Sequence, residues 1–343
     1  MDFAKTLTQW YLQHKRDLPW RNNTSPYQIW LSEIILQQTR VAQGLPYYLA
    51  FVDAFPTVFD LANASEQQVL KLWQGLGYYS RARNLHKTAQ FIANDLNGVF
   101  PANYNNLLNL KGVGDYTASA IASFAYNERV PVVDGNVFRV ISRYIGVEDD
   151  IANLKTRKIF QKLALELMHN AEPNLFNQAI MEFGALQCVP KKPNCSICPF
   201  NGSCFALKFK RIDELPLKAK KAKPTIKHYN YILYLDQEKK TSIIQRTGKG
   251  IWQNLYELPL VESDFELLSI DNYVFYENQI IDIHCYNSIP IIHKLTHQHL
   301  YIKFWMIHVE GIIFNAKSLE EARSYPFPIV IYDFLKEYKL PIS

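Results

Sequence analysis

Four of the five cysteines fall within one short stretch, CVPKKPNCSICPFNGSC, where six, two and five residues separate them. They are Cys188, Cys195, Cys198 and Cys204, and thiolates at such spacings bind metals. A four-cysteine zinc site usually contains two C-x-x-C pairs, whereas a single C-x-x-C with longer arms can hold a cubane iron–sulfur cluster. Two disulfides are a third alternative, which a chain of 343 residues does not need for stability. The spacing therefore favours an iron–sulfur cluster over zinc, and zinc over disulfides.

Two glycines, Gly112 and Gly114, flank Val113 in the stretch LKGVGDYTASAIASF. They permit a tight turn whose backbone N–H groups point outward at the start of the following helix. Such groups bind a phosphate oxygen without reading the base sequence. A glycine turn between two helices is also common without any ligand, so this motif alone is a weak signal.

Two carboxyl groups stand at positions that also have ordinary structural explanations. Asp134 lies in VPVVDGNVFRVISRYIG between an apolar run and a helical pattern, where a helix N-cap is the simplest interpretation. Glu33 lies in the mainly apolar helical pattern IWLSEIILQQ, and the pattern alone favours a glutamate on the helix surface. Neither residue by itself predicts catalysis.

Taken in order, G-V-G-x-Y-T, V-D-G-N and the cysteine loop closely resemble the helix–hairpin–helix DNA glycosylases of the endonuclease III superfamily. Within that superfamily, LPWR, SEIILQQT and GLGYYSRARNL, which begin at residues 18, 32 and 75, resemble the MutY family of adenine DNA glycosylases. The resemblance covers nearly the whole chain, because that family also carries a second, MutT-like domain. It implies a [4Fe–4S] cluster as the cofactor held by the four cysteines.

The resemblance also implies how the residues would act on a nucleotide. Breaking the N-glycosidic bond of adenine passes through an oxocarbenium-like transition state, which a proton donor and a nearby negative charge both favour. Glu33 would be the general acid, kept protonated by partial burial, and Asp134 would stabilise or attack the sugar cation. Asn136 and Tyr116 would assist as polar neighbours of these carboxyl groups.

Tyr116 distinguishes between the nearest related activities. Bifunctional members of the superfamily, such as endonuclease III, place a lysine at this point, and its amine forms a Schiff base that leads to strand cleavage. The tyrosine therefore predicts a monofunctional glycosylase and argues against an endonuclease III-like lyase for oxidised pyrimidines. The presence of Glu33 and Asp134 argues against a catalytically silent DNA-damage-binding protein.

The expected partner is double-stranded DNA that contains adenine opposite 8-oxoguanine or guanine, from which the base must be flipped out. The resemblance and the charge pattern predict DNA contacts from Arg21, Gln38, Thr39, Tyr78, Gly112, Val113, Gly114, Lys191 and Lys192. In the second domain, Leu295, Thr296 and His297 stand where the family often has Phe-Ser-His, a segment that recognises 8-oxoguanine.

Composition and charge agree with a DNA-binding protein of about two domains. The chain is 48% hydrophobic and 20% charged, and its N-terminus does not have the unbroken apolar run of a signal peptide. The net charge is +5 over residues 1–210, +4 over 211–227 and −4 over 228–343. A basic first part suits a polyanion. We expect a cytoplasmic monomer that does not bind membranes.

The elements that must position these residues follow from the periodicity of the sequence. Residues 1–210 predict an all-helical domain, 211–227 a basic linker, and 228–343 an α+β domain of the MutT (Nudix) type. Ser65 predicts the start of a short helix in SEQQVLKLWQGL. The stretch HYNYILYLDQEKKTSIIQR predicts a β-hairpin, because apolar and polar residues alternate on both sides of a turn-rich middle.

Overall fold

The computed structural model describes residues 2–219, 223–274 and 279–338. Tertiary contacts divide the chain into two compact units. The first unit comprises Met1–Asn63 and Asn84–Lys220, and the second comprises Ala64–Arg83 and Lys221–Ser343. A helical domain followed by an α+β domain is confirmed, whereas the limits at residues 210 and 228 stay predictions. No helix in the described ranges is long and apolar enough to cross a membrane.

The first unit is built from helices. They are α1 (Phe3–His14), α2 (Pro26–Leu36), α3 (Val41–Ala54), α4 (Val58–Asn63), the greater part of α6 (Ser80–Asp95), α7 (Tyr104–Leu107), α8 (Asp115–Tyr126), α9 (Gly135–Ile145), α10 (Leu154–Met168), α11 (Pro173–Leu186) and α12 (Phe205–Lys208). Side chains of α1, α9, α10 and α11 form one continuous apolar cluster, against which Cys188 and Cys198 also pack. The same core thus supports the start of α9, where Asp134 lies, and the cysteine loop.

Local sequence explains where α2 and α3 begin and end. Ser25 caps α2 by accepting a hydrogen bond from the backbone N–H of Gln28, and Pro26 occupies the first helical position, where it needs no N–H partner. The helical pattern that continues through residue 54 is interrupted at residues 37–40, and α3 starts only at Val41. The interruption contains Gln38, whose φ of 55° lies outside the helical region.

The second unit contains helix α5 (Glu66–Leu72) and a mixed sheet. Its other elements are β1 (Thr225–Leu235), β2 (Ile244–Gln245), β3 (Tyr256–Glu257), β4 (Leu260–Ser263), β5 (Ile280–Cys285), β6 (Ile291–Lys294), β7 (Gln298–Val309), α13 (Leu319–Ser324) and α14 (Ile329–Glu337). Ser65 forms a capping box with Gln68 at the start of α5, which confirms the predicted cap. Apolar side chains of β1 and β7 form the core of the sheet, together with residues 267–274.

The sheet runs in the order β4-β1-β7-β5, and β6 also pairs with β7. Strands β1 and β7 are parallel over their whole length, from Thr225 opposite Gln298 to Leu235 opposite His308. The predicted hairpin of β1 with the segment after it is wrong. The turn at Asp236 does form, but β1 already has β4 on one side and β7 on the other. Strand β2 therefore pairs with β3 in a separate two-stranded sheet.

Candidate active site and cysteine loop

A cavity of about 410 Å³ lies in the first unit and collects side chains from α2, α8, α9 and α11. Its polar lining residues include Arg16, Arg21, Ser32, Glu33, Tyr116, Asp134, Asn136, Gln178 and Glu182. All four residues predicted to be catalytic are among them, although they come from three separate segments of the chain. The structure therefore brings the predicted carboxyl groups and their two neighbours to one cavity.

Glu33 is buried in this cavity, with only 6% of its surface exposed. The hydroxyl of Tyr116 donates a hydrogen bond of 2.6 Å to its Oε2. The pKa of Glu33 is raised to about 7, mainly by burial and in part by the charge of Asp134, while the bond from Tyr116 opposes the shift. The interpretation of Glu33 as a surface glutamate is wrong. Near neutral pH, the Glu33 carboxyl group carries a proton in a large fraction of the molecules, and this proton can be donated.

Asp134 is the N-cap of α9, as the simplest interpretation of the sequence predicted. Its Oδ1 accepts the backbone N–H groups of Asn136 and Val137 at 2.9 and 2.8 Å. Its Oδ2 accepts the side-chain amide of Asn136 at 2.7 Å. Burial raises the pKa of Asp134, and these three hydrogen bonds oppose that shift by favouring the ionised form. Capping and a role at the cavity are compatible, because the same carboxylate also faces the cavity.

Arg139 holds Asn136 in place and was not identified from the sequence. Its guanidinium donates to Oδ1 of Asn136 at 2.8 Å, to the carbonyl of Gly184 at 2.6 Å and to the carbonyl of Cys188 at 2.7 Å. A side chain at Gly184 would approach Cβ of Asn136 to 2.6 Å, so glycine is needed where α11 passes this residue. The start of α9 is thus tied to both α11 and the cysteine loop.

A third carboxyl group in the cavity, that of Glu182, was also missed, because it stands in the mainly apolar pattern of α11. It accepts hydrogen bonds from Arg16 at 2.7 and 2.8 Å and from Arg21 at 2.8 Å. Although burial opposes the shift, these bonds lower the pKa of Glu182 to about 2. Glu182 therefore stays ionised at neutral pH, where Glu33 is partly protonated. Arg21, predicted to bind DNA, uses its side chain in this ion pair.

A wider groove of about 800 Å³ adjoins the same carboxyl groups in the first unit. Glu33, Tyr116 and Asp134 line both the groove and the cavity. The groove is further lined by Gln37, Gln38, Gly112, Gly114, Gly135 and Arg157. A nucleotide that enters through the groove would therefore reach the carboxyl groups before the cavity encloses its base.

The glycine turn contributes an open backbone surface to this groove. Gly112 has a φ of +76°, and a Cβ there would lie 2.7 Å from Cβ of Asn84, so two independent constraints require glycine. Val113 is buried beneath the turn. Gly114 is the N-cap of α8, and the space around it is open. The N–H groups at the start of α8 can therefore meet a phosphate without interference from a side chain.

Three of the residues predicted to contact DNA have left-handed backbone conformations that glycine favours. The φ angles are 55° for Gln38, 48° for Tyr78 and 48° for Lys192, and each such conformation costs roughly 1–3 kcal/mol. All three side chains are exposed. Thr39 directly follows Gln38 in the sequence, and Lys191 directly precedes Lys192.

The segment predicted to recognise 8-oxoguanine is the turn between β6 and β7. The backbone N–H of Leu295 donates to the carbonyl of Gln298, and the carbonyl of His297 accepts the N–H of Thr225 at 3.0 Å. Thr296 is exposed at the tip of this turn, and its Oγ1 lies 2.6 Å from the hydroxyl of Tyr78. Within the second unit, the structure therefore joins two predicted contacts with DNA that are far apart in sequence.

The four cysteines of the loop are free, half-buried thiols, and two of them contact Arg143 near the end of α9. Arg143 holds the loop: its guanidinium donates to the carbonyls of Val189 and Pro190 and lies 3.5 Å from Sγ of Cys188. The thiol of Cys204 donates to the carbonyl of Arg143 at 3.3 Å. A buried guanidinium beside the loop would stabilise a negatively charged metal–thiolate group.

The four thiols form a donor set that can hold a [4Fe–4S] cluster. Burial raises the pKa of Cys198 to about 11, and the charges of the neighbouring thiols add to the shift. Among the described residues, the one set of three or more potential ligand atoms that lie within 4.8 Å of one another belongs to the second unit. The four thiols are therefore not all this close to one another. One Zn²⁺ would hold its sulfur ligands roughly 3.8 Å apart. Wider separation suits a cluster in which each cysteine binds a different iron.

Comparisons with known proteins agree with this geometry. Residues 31–166 match the HhH-GPD superfamily of base excision DNA repair proteins, and residues 230–337 match a NUDIX domain. The adenine DNA glycosylase of Buchnera aphidicola subsp. Acyrthosiphon pisum is 36% identical over 327 residues, which cover 93% of this chain and 88% of that protein. Human adenine DNA glycosylase is 43% identical over 213 residues, 60% of this chain and 39% of that protein.

Two solved structures resemble the described chain. A thermostable thymine-DNA glycosylase has a TM-score of 0.56 at 31% identity and covers 60% of this chain and 95% of its own. A trapped endonuclease III–DNA covalent intermediate has a TM-score of 0.52 at 20% identity, with 60% and 94% covered, and supports the fold alone.

The fold and the paired carboxyl groups define a base excision DNA glycosylase of the HhH-GPD superfamily. Since a relative of 36% identity is covered over 88% of its length, the chain belongs to the adenine DNA glycosylase (MutY) family.

Proposed function

We propose that the protein is a monofunctional adenine DNA glycosylase that hydrolyses the N-glycosidic bond of adenine opposite 8-oxoguanine or guanine and so starts base excision repair. The observation that carries this proposal is the shared position of Glu33 and Asp134 at the junction of a base-sized cavity and an open groove. A flipped nucleotide would place its base in the cavity and its sugar beside these two carboxyl groups.

The two carboxyl groups have different tasks because their surroundings differ. Glu33, which is buried and partly protonated near neutral pH, donates its proton to adenine, which then leaves with the electron pair of the glycosidic bond. Asp134, held by three hydrogen bonds that favour its charge, stabilises the positive sugar carbon or bonds to it. Water then attacks that carbon, breaks the bond to Asp134 if one has formed, and returns a proton to the Glu33 carboxylate, which leaves an abasic site.

Tyr116 supports a monofunctional enzyme. Its hydroxyl donates a hydrogen bond to Glu33, and its side chain has no amine that could form a Schiff base. Burial, followed by the charge of Glu33, raises the pKa of Tyr116 well above its usual value, so the hydroxyl stays neutral and keeps donating. The expected product is an abasic site in an uncut strand.

The [4Fe–4S] cluster that we assign to Cys188, Cys195, Cys198 and Cys204 has a structural role in this proposal. Glycosidic hydrolysis transfers no electrons, so the chemistry requires none from the cluster. The cluster would fix an irregular loop that exposes Lys191 and Lys192 towards DNA phosphates, and Arg139 would connect that loop to Asn136.

The DNA contacts and the choice of the opposite base are assigned to several described surfaces. The glycine turn would bind a phosphate, and Gln38 would fill the space left by the flipped base. The contact of Tyr78 with Thr296 supports a joint role of these residues, beside Leu295 and His297, in detecting 8-oxoguanine. A single chain carries both surfaces, which is why we expect a monomer acting on DNA in the cytoplasm.

Single-turnover excision on matched duplexes tests the proposal. Adenine opposite 8-oxoguanine should be released faster than adenine opposite guanine, and adenine opposite thymine should remain. The strand should break only after treatment with alkali. Excision of an oxidised pyrimidine in place of adenine, or a strand break without alkali, would contradict the proposed substrate or the monofunctional mechanism.

A further inference from the structure

Three potential metal ligands meet on the sheet of the second unit, and the proposed glycosylase chemistry does not use them. Asp282 and His284 belong to β5, and His308 belongs to β7. One carboxylate oxygen of Asp282 lies 3.0 Å from Nδ1 of His284 and 3.7 Å from Nδ1 of His308. Ligand atoms from the three residues all lie within 4.8 Å of one another.

Strand geometry explains why these side chains share one face. Asp282 and His284 are two positions apart on β5 and therefore point to the same side of the sheet. His308 is the direct partner of Asp282 in the antiparallel pairing with β7. The register shifts at Ile281, between Ile280 and Asp282, and such bulges redirect a side chain beside a site. Asp282 and His308 are thus a direct cross-strand pair, and His284 is the diagonal neighbour of His308.

The measured separations suit a tetrahedral transition-metal ion. With bonds of about 2.0–2.1 Å, Zn²⁺ holds its nitrogen and oxygen ligands roughly 3.4 Å apart. The distances of 3.0 and 3.7 Å from Asp282 lie on either side of this value, so small side-chain rotations suffice. Two imidazoles and one carboxylate are also a frequent donor set for Zn²⁺ when water fills the fourth position.

We propose that Asp282, His284 and His308 form a Zn²⁺ site that joins β5 to β7. Among the described residues, strand β5 is the last strand in the order β4-β1-β7-β5, so pairing with these strands holds it on one side only. A bound ion would add a second connection to β7 at the end where the register shifts. The side chains of Asp282 and His284 are exposed and that of His308 is 33% exposed, which leaves the site accessible to ions in solution.

Titration of the iron-loaded full-length protein with ZnCl₂ at about pH 7.5 tests the site, because Zn²⁺ binds the deprotonated form of its ligands. We expect one equivalent of Zn²⁺ to bind in isothermal calorimetry without loss of iron. His308→Asn and Asp282→Asn should each weaken binding at least about tenfold, because each removes one ligand. MgCl₂ should not compete, because Mg²⁺ prefers an all-oxygen shell.

His228→Asn is the matched control, because it removes another imidazole from the same sheet. His228 lies opposite Tyr301, seven residues along β7 from His308, which is roughly 23 Å of strand. Its Zn²⁺ affinity should equal that of the unmodified protein. Zn²⁺ should also slow hydrogen exchange in β5 in the unmodified protein and not in His308→Asn. Equal Zn²⁺ binding by all variants, or no binding by the unmodified protein, would overturn the proposal.

Discussion

Tyr116 and Glu33, which are 83 positions apart in the sequence, are joined by a hydrogen bond of 2.6 Å from the tyrosine hydroxyl to Oε2. Burial raises the pKa of Glu33 to about 7, whereas this bond lowers it. Helix α8 therefore supplies a group that adjusts the acidity of a carboxyl group on α2. In the proposed reaction, the adjustment sets the pH range in which Glu33 can give a proton to adenine.

Tyr116→Phe should move the pH dependence of base excision. Without the hydroxyl, the ionised form of Glu33 loses a hydrogen bond, so the pKa of Glu33 rises above about 7. The rate of the unmodified protein should fall as the pH rises through about 7, because the acid loses its proton. In Tyr116→Phe that fall should occur at higher pH. Single-turnover rates from acidic to alkaline pH measure the shift, and coincident profiles would contradict it.

Glu33→Gln should abolish excision and make the folded protein more stable at alkaline pH. The folded pKa of Glu33 lies above its unfolded value of 4.5, so the native state binds more protons between the two values. Stability therefore falls as the pH rises from about 4.5 to 7, by up to about 3 kcal/mol. Glutamine at position 33 cannot ionise, so the variant does not show this loss of stability. Urea unfolding at about pH 5 and pH 8 should show that the variant gains stability mainly at the higher pH.

Glu320→Gln serves as the control for this measurement, because Glu320 is an exposed carboxylate in the first turn of α13. Its stability should follow that of the unmodified protein at both pH values. If Glu33→Gln and the unmodified protein were equally stable at pH 8, ionised Glu33 would not lower the free energy of unfolding, and the prediction would be wrong.

Features that depend on nearby residues could be predicted from the sequence. The capping box at Ser65 and the N-cap at Asp134 follow from the residue type and the next three positions. The resemblance of short motifs also identified Glu33, which its own helix pattern assigned to the surface. Its burial comes from packing against a helix more than 80 positions away, and no local pattern records that.

Features that depend on distant partners were missed or predicted wrongly. Arg139 was missed because its partners are the distant carbonyls of Gly184 and Cys188. Glu182 was missed because its partner, Arg16, lies more than 160 positions away in the sequence. The hairpin after β1 was wrong for the same physical reason. Alternation predicts a strand but not its neighbour, and β1 pairs with β7, which lies more than 70 positions further along the chain.

Arg139→Lys should lower both iron content and excision rate. A lysine cannot reproduce the planar group that donates to Asn136, Gly184 and Cys188 at once. The start of α9 and the cysteine loop should therefore loosen together, with a stability loss of about 2–3 kcal/mol. Arg129→Lys, at an exposed position, is the matched control and should retain both properties. Normal iron content with normal activity in Arg139→Lys would contradict the connection.

Tyr78→Phe and Thr296→Val should reduce the preference for 8-oxoguanine over guanine opposite adenine. Each substitution removes one partner of the 2.6 Å contact and keeps the shape of the side chain. If the two residues act as a pair, the double variant should lose no more discrimination than the more affected single variant. The ratio of single-turnover rates on the two duplexes measures this effect. Independent, additive losses would show that the contact does not serve recognition.

The most direct test of the proposed mechanism is Asp134→Asn on a duplex with adenine opposite 8-oxoguanine. The amide oxygen can still accept the N–H groups of Asn136 and Val137, so α9 should keep its cap and the protein its fold. The negative charge beside the sugar is lost. We predict lesion binding close to that of the unmodified protein and a single-turnover excision rate at least about a thousandfold lower. Excision within tenfold of the unmodified rate by a folded, DNA-binding variant would reduce Asp134 to a helix cap and contradict the mechanism.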